Sequence, residues 1–139
     1  MFVMLCGMMI ATTFVACGDD DDDDDENGSV TAKSLVGTWN WVKSETYNGK
    51  TYTWTECFTL NSDKSGKILE IESDGEVYEV ATFTWSLSGN TVTITYTWVN
   101  NDADKIKVGD TQSITIISVN STTLVINDKG KKQTLTKAQ

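Results

Sequence analysis

Among the residues that could do chemistry, Glu56 has the most informative neighbours, because Trp54 and Phe58 occupy the alternate positions on either side of it. Alternate side chains of a regular strand point to the same face, so this pattern would direct the Glu56 carboxylate inward with the two rings. An inward carboxylate must be paired, protonated or turned outward by a bulge, since burying an unpaired charge is costly. Lys43 is the nearest candidate counterion, because it is an odd-numbered residue of its strand like Trp41 and so shares its face. A bulge or rim position for Glu56 is the alternative.

The remaining candidate binding residues are aromatic and share the parity of the predicted inner face. Large rings fill small barrels, but an apolar wall with a few polar groups also describes a small-molecule pocket. The inner face is predicted to hold all five tryptophans: Trp39, Trp41, Trp54, Trp85 and Trp98. The candidate ligand-binding residues are Trp41, Trp54, Glu56, Phe58, Tyr78, Trp85, Tyr96 and Trp98.

The chain lacks the residue types on which most enzyme mechanisms rely. It contains no histidine or proline, and its eleven basic residues are all lysine. These absences exclude Ser-His and Cys-His catalysis, histidine-containing metal sites and arginine clamps on phosphate or carboxylate. No paired carboxylates stand at a spacing suited to general acid and base catalysis. We therefore predict a protein that is not an enzyme, with no catalytic residue, no metal site and no cofactor.

The net charge of −9 belongs to one short segment rather than to the whole chain. Residues 19–26 are all acidic and hold eight of the twenty carboxylates, which leaves twelve against eleven lysines in the rest of the sequence. A nearly neutral remainder without a basic cluster argues against a nucleic-acid partner. The roughly 105 residues from residue 34 onward suffice for one domain with a single core.

An uncharged, largely apolar segment spans residues 1–16 and ends in Ala16 directly before Cys17. As a helix, residues 1–18 would be about 27 Å long, slightly less than the roughly 30 Å of a bilayer core, which favours a cleaved segment over a membrane span. The segment resembles a bacterial lipoprotein signal peptide with its lipobox. The resemblance implies that Cys17 carries a diacylglycerol thioether and a further acyl chain, becomes the mature N-terminus and attaches the protein to a membrane.

The acidic run, residues 19–26, follows the predicted lipidation site. Eight like charges repel one another and bury no apolar area, which predicts a disordered spacer. Its position also resembles the surface-export signals of Bacteroidota lipoproteins, which implies an outer-membrane lipoprotein exposed at the cell surface. A periplasm-facing lipoprotein is the alternative. The predicted organisation is a signal peptide at 1–16, a lipidated cysteine and tether at 17–33, and a β-domain at 34–139.

The β-domain alternates apolar residues with threonine and serine, and turn residues recur about every 8 to 14 positions. This pattern is typical of an antiparallel all-β protein. Short connections between sequential strands favour an eight-stranded up-and-down meander barrel, which leaves no strand edge open, and a β-sandwich is the alternative. The predicted strands are 38–45, 51–60, 67–72, 76–87, 91–99, 112–119, 122–127 and 131–136.

Two glycine-containing turns predict the registers of two hairpins. Asp74-Gly75 is typical of a type I′ turn, and Gly89-Asn90 has a similar signature. The resulting cross-strand pairs are Ile71 with Tyr78, Leu69 with Val80, Leu87 with Val92, Trp85 with Ile94, and Phe83 with Tyr96. Because the two registers assign opposite parities to the strand that they share, we predict a β-bulge near residues 81–82.

The last three strands contain more apolar residues than one face can hold. The residues predicted to point inward are Ile117, Leu124, Ile126 and Leu135. The apolar residues then left outside are Ile114, Ile116 and Val125. This trio would form a contact patch for a protein partner, unless the register is displaced by one residue.

The first strand begins with Gly37-Thr38-Trp39, preceded by Leu35-Val36. These residues resemble the Gly-x-Trp signature of lipocalins, and residues 34–137 resemble the lipocalin-like domain of small bacterial lipoproteins. The resemblance implies a barrel whose closed end is plugged by Trp39. Lipocalins place an arginine over this tryptophan, and Lys131 or Lys132 is the candidate replacement here.

The resemblance makes a non-catalytic binding module for a small apolar or glycan ligand the leading functional hypothesis. The alternative is a structural or interaction subunit of a surface protein complex, without a small-molecule ligand. A fold hosts many functions, so the choice depends on the geometry of the site.

Overall fold

The computed structural model describes residues 30–101 and 105–139. The predicted signal peptide, the lipidation site Cys17 and the acidic run lie outside the described residues. Within the described ranges, no helix has the length and apolar character needed to cross a membrane.

The described residues form one short helix and eight strands. The helix α1 covers Ala32–Leu35 and begins with a capping box, in which Thr31 and Ser34 bond each other's backbone N–H groups. Each strand begins and ends within two residues of its predicted bounds. The strands are β1 Gly37–Tyr47, β2 Lys50–Leu60, β3 Ser65–Glu72, β4 Val77–Ser88, β5 Thr91–Val99, β6 Thr111–Val119, β7 Thr123–Asp128 and β8 Lys131–Lys137.

The strands form a closed antiparallel barrel in which each pairs with its sequence neighbours and β8 pairs with β1. The closing ladder is short and joins Trp39 to Lys137 and Asn40 to Thr136. The predicted up-and-down barrel is confirmed over the sandwich. Closure gives every strand two partners, so no long edge remains open to another chain.

The two ends of the barrel differ. At the closed end, Leu35 and Trp39 are fully buried, and the Trp39 indole N–H donates to the Leu35 carbonyl at 2.9 Å. At the same end, Lys137 covers the Trp39 ring, with its Nζ atom 5.1 Å from the ring centroid. The opposite end, where β1 turns into β2 and β7 turns into β8, is called the mouth. The prediction of Lys131 or Lys132 over Trp39 is wrong, because both follow the β7–β8 turn at the mouth.

The registers of the two predicted hairpins have different outcomes. All three pairs across Gly89-Asn90 are confirmed. In the other hairpin the predicted pairs are wrong, since Ile71 pairs with Val77 and Leu69 with Glu79. The loop has three residues: Gly75 donates its N–H to the Glu72 carbonyl, and Gly75 alone in the loop has a positive φ, of 94°. A type I turn followed by a left-handed glycine has this geometry. The register that this loop sets turns Leu69 and Ile71 outward and Ile68 and Glu70 inward.

The predicted bulge in β4 is confirmed. In the β3–β4 ladder, Val80 has no partner residue on β3. In the β4–β5 ladder, Thr82 pairs with Trp98 and the next residue, Phe83, pairs with Tyr96, so Thr97 of β5 is skipped. The first skip places Tyr78 on the inner face together with Phe83, as the bulge prediction required. The second skip puts Trp98 opposite Thr82 on the outer face, where it is 44% exposed, so its predicted inward orientation is wrong.

A further bulge reverses the parity of β6. Pairing with β7 passes from Ile116 to Ser118 and skips Ile117. Ile116 is therefore buried at 3% exposure and Ile117 is 45% exposed, opposite to the prediction. Ile114 also packs against the core, so the predicted outward trio does not form a patch. Leu124, Ile126 and Leu135 point inward as predicted.

Apolar side chains fill the closed half of the barrel. Trp39, Phe83 and Leu35 are the largest fully buried side chains in the described chain, and Phe83 meets Tyr96 edge to face at 6.5 Å. The core therefore supports the polar side chains that lie above it, towards the mouth. The other buried core residues are Leu60, Ile68, Ala81, Trp85, Val92, Ile94, Ile116, Leu124, Ile126 and Leu135.

Candidate binding site at the barrel mouth

An ion pair crosses the first hairpin inside the barrel. The Lys43 ammonium lies 2.7 Å from Glu56 Oε1, with the two side chains 27% and 16% exposed. The β1–β2 pairing is unbroken from Gly37 to Lys50, so no bulge turns Glu56 outward. The counterion prediction is confirmed, and the alternative of a bulge at Glu56 is wrong.

Trp41 completes this arrangement. It lies directly opposite Glu56 in the β1–β2 ladder, and the Lys43 Nζ atom stands 4.0 Å from the centroid of its ring. The ammonium is thus held between an aromatic face and a carboxylate, both of which attract a cation. This contact orders the Lys43 chain and leaves Glu56 with acceptor capacity for another donor.

Glu70 adds a second inward carboxylate opposite Glu56 on β3. Burial raises the pKa of Glu70 above its usual value, and the like charges of Glu56 and Glu72 raise it further, against the opposing effect of Lys43. Glu70 consequently holds a proton more readily than an exposed carboxyl and can then donate as well as accept hydrogen bonds. The sequence of β3 alone does not predict that Glu70 points inward, because the face on which Glu70 lies depends on the three-residue loop at Gly75.

A hydrogen-bonded chain lies on the other side of the mouth. The Tyr96 hydroxyl donates to Gln112 Oε1 at 2.8 Å, and Gln112 Nε2 donates to the Asp128 carboxylate at 3.3 Å. Burial raises the pKa of Tyr96, and the charges of Asp128 and Glu56 add to the effect. The phenol therefore stays neutral and keeps its role as a donor.

Gln133 contributes a polar atom without a partner. Its Oε1 atom is buried and accepts no hydrogen bond from the described part of the chain. Gln133 pairs with the inward Ile126, so it shares the inner face. A buried acceptor is normally satisfied by a protein group, a water or a ligand.

The inward polar side chains at the mouth, here called the polar ring, are Lys43, Glu56, Glu70, Tyr96, Gln112, Asp128 and Gln133.

Below the polar ring, packed apolar side chains surround a small cavity. This apolar cavity measures about 50 Å³. Pockets that enclose a drug-sized ligand measure about 300–1,000 Å³, so this cavity is too small for an extended acyl chain or a tetrapyrrole. A ligand of ordinary size would have to lie at the mouth. The cavity is lined by Trp39, Phe58, Leu60, Val92, Ile94, Ile114, Ile116, Leu124, Ile126 and Leu135.

The structure brings together only part of the predicted set of site residues. Trp41, Glu56, Phe58 and Tyr96 face the interior around the polar ring, and Trp54 stands opposite Lys43. Tyr78 lies on the inner face opposite Glu70 but is exposed at the rim, where its hydroxyl donates to Glu76.

Two predicted residues lie elsewhere. Trp85 is buried at the closed end, where its indole N–H donates to the Asn61 and Ser65 carbonyls, and Trp98 lies outside the barrel. Glu70, Gln112, Asp128 and Gln133 were not predicted. Asp128 and Gln133 carry a local signal, since they alternate with Leu124, Ile126 and Leu135, the apolar residues predicted to point inward.

The comparisons with known proteins agree on the fold. The family described as "Lipocalin-like domain" matches residues 35–126. A lipocalin-like protein from Bacteroides uniformis has a TM-score of 0.58 at 15% identity, covering 76% of this chain and 99% of that protein. An uncharacterized protein from Bacteroides eggerthii has a TM-score of 0.55 at 13% identity, covering 75% and 99%. No curated protein matches the sequence at a significant level.

Proposed function

The chain belongs to the lipocalin-like domain family, and on that premise we propose that it is a membrane-anchored, non-catalytic binding module that takes a small glycan at the mouth of its barrel. The lipocalin-like fold is generally a binding fold without catalysis.

The observation that supports a glycan over an apolar ligand is the polar ring above a small apolar cavity. The cavity of about 50 Å³ cannot enclose an apolar chain. The ring offers acceptors on Glu56 and Gln133 and a donor on Lys43, as the hydroxyl groups of a sugar require. Trp54 supplies an aromatic wall beside them, against which the apolar face of a sugar ring can pack.

The proposed anchor is the lipid on Cys17, at the outer membrane and towards the cell surface, with the periplasmic face as the alternative. The sequence resemblance supports it, and the described chain enters the barrel at the closed end beside Leu35, opposite the mouth. A chain anchored there presents its mouth away from the membrane. Labelling with radioactive palmitate that persists in a Cys17→Ser variant would contradict the anchor.

A Trp54→Ala variant is expected to bind neutral oligosaccharides at least about tenfold more weakly than the wild type, because it loses the aromatic wall of the mouth. Calorimetric titration with a panel of oligosaccharides and, separately, fatty acids measures this effect. Trp98→Ala is the matched control, since Trp98 lies outside the barrel, and it is expected to change the affinity by less than about twofold. Binding of fatty acids alone, or equal losses in both variants, would overturn the glycan proposal.

A Glu70→Gln variant is expected to raise stability at neutral pH and to flatten its pH dependence. The pKa of Glu70 is raised in the folded protein, mainly by burial and then by Glu56. The stability that accompanies a raised carboxyl pKa is fully present below the unfolded-state pKa and is lost as the pH rises through the folded-state pKa. Urea denaturation at about pH 4 and pH 7 checks this prediction, with Glu79→Gln on the outer face as the control. A flattened dependence in the control as well would remove Glu70 as the cause.

The accessory-subunit alternative has less support. It depended on an outward apolar trio, and Ile116 and Ile114 of that trio pack inside. Chemical crosslinking in cells that captures the same protein partner with wild type and with the Trp54→Ala variant, in the absence of any glycan binding, would favour it.

A further inference from the structure

A groove at the closed end carries two lysines that have no acidic partner among the described residues. It lies between α1 and the β2–β3 loop and measures about 490 Å³. Lys43 and Glu56 form the ion pair of the described chain, and neither lysine of the groove takes part in one. The groove, here called the lysine groove, is lined by Ala32, Lys33, Val36, Ser62, Lys64 and Trp85.

Lys64 occupies an unusual backbone conformation. Its φ is 73°, in the left-handed region that glycine and asparagine adopt at lower cost than lysine. Its backbone N–H donates to the Asn61 carbonyl, and its ammonium stands 4.9 Å from the centroid of the Trp85 ring. The charge of Lys64 thus lies over the Trp85 ring, which lines the groove together with Lys33.

The nearest acidic side chain along the chain does not neutralise this charge. Asp63 accepts hydrogen bonds from the Ser65 backbone N–H at 2.9 Å and from the Ser65 hydroxyl at 2.5 Å, which hold it within its own loop. Asp63 does not line the groove, whose charged lining residues are Lys33 and Lys64.

The acidic run ends at Glu26, six positions before Ala32 of this groove. Glu26 precedes Val30, the first described residue, by four positions, so it lies within about 14 Å of Val30. Val30 itself packs against the core at the closed end. A charged segment tethered at this distance has an effective concentration in the millimolar range near Lys64, whereas the lysines of the mouth are about 30 Å away along the strands.

We propose that the acidic run, residues 19–26, docks on the lysine groove and forms an electrostatic latch between the tether and the barrel. In the latch, the eight carboxylates of the acidic run lie near the ammonium groups of Lys33 and Lys64. Because each exposed ion pair is weak, the latch depends on the number of carboxylates. Salt screens these charges and opens the latch. Docking draws the tether against the closed end and shortens the distance between an anchor on Cys17 and the domain. The latch does not depend on ligand binding at the mouth.

Carbodiimide crosslinking of the purified full-length protein tests the latch, since the reagent joins an amine to a carboxylate only where the two touch. Mass spectrometry is expected to find Lys64 joined to residues 19–26 at about 20 mM salt, with the yield falling at least about fivefold at 500 mM as charges are screened. Lys33 is too close in sequence to discriminate, and Lys50 at the mouth serves as the reference. Equal yields at Lys64 and Lys50, or a yield insensitive to salt, would overturn the proposal.

Two variants sharpen the test. Lys64→Gly, which lacks the reactive amine, is expected to raise the melting temperature by about 4 °C, because glycine relieves the backbone strain. Lys67→Gln on the outer wall is expected to leave both the melting temperature and the Lys64 crosslink unchanged. Replacing the acidic residues 19–26 with asparagine and glutamine is expected to move the nuclear magnetic resonance signal of the Trp85 indole. A signal that moves with inorganic phosphate or anionic vesicles but not with this replacement would assign the groove to an external anion and reject the latch.

Discussion

Replacing Trp39 with alanine is expected to destabilise the domain by about 4 kcal/mol. Trp39 is fully buried, its indole N–H bonds the Leu35 carbonyl at 2.9 Å, and Lys137 covers its ring. The truncation would leave a large cavity at the closed end and an unpaired carbonyl on α1. Since a domain of this size is typically stable by about 5–15 kcal/mol, much of the total would be lost. Urea denaturation followed by circular dichroism measures the change.

Trp39→Phe separates the two causes of this loss. Phenylalanine keeps most of the buried area but cannot donate to Leu35, so the expected cost is about 1–2 kcal/mol, close to that of one buried hydrogen bond. Equal losses for the alanine and phenylalanine variants would show that the plug acts through its hydrogen bond rather than through packing.

Gly66→Ala is expected to cost about 3 kcal/mol, although it adds a single methyl group. A Cβ atom at this position would stand 2.4 Å from Phe83 Cε2 and 2.5 Å from the Thr59 carbonyl oxygen. The phenyl ring is buried and the carbonyl belongs to the β2 backbone, so neither can move without disturbing the core. Thermal and urea denaturation would both report the loss.

A double variant tests that mechanism. Phe83→Leu removes ring atoms from the contact, so Gly66→Ala should cost less in the Phe83→Leu background than in the wild type. The remaining cost comes from the Thr59 carbonyl, which the second change does not touch. Strictly additive losses would contradict a direct clash between the two positions.

The mouth depends on the same packing. Phe58, which lines the apolar cavity, lies two residues from Glu56 on β2 and pairs with Trp39 across the β1–β2 ladder. Loosening of the closed end in Trp39→Ala would therefore reach the Lys43–Glu56 pair along β2. Binding at the mouth is best measured in Trp54→Ala, which leaves the plug intact.

Local patterns sufficed for the strands and for part of the site. Apolar residues alternating with threonine predicted all eight strands, because this alternation places one face of each strand in a core. Gly89-Asn90 correctly predicted the register of its hairpin. Lys43 was predicted on the same face of its strand as Trp41, and Glu56 on the same face as Trp54 and Phe58. These inward positions predicted the ion pair, since β1 and β2 run without a bulge between them.

The tertiary structure decided the remaining features. The skips at Val80, Thr97 and Ile117 reverse strand parity, and each depends on how a strand meets two neighbours in a closed barrel. These skips moved Trp98 outside and Ile116 inside, and the three-residue loop at Gly75 turned Glu70 into the mouth. The placement of Lys137 over Trp39 and the small interior cavity likewise arise only on closure, because they join residues that are distant in sequence. The sequence by itself determined that this chain is a β-barrel domain with one charged pair among aromatic rings, since both follow from alternation within neighbouring strands. Only the closed structure decided which polar groups complete the mouth and how little room lies beneath them, because both depend on contacts among all eight strands.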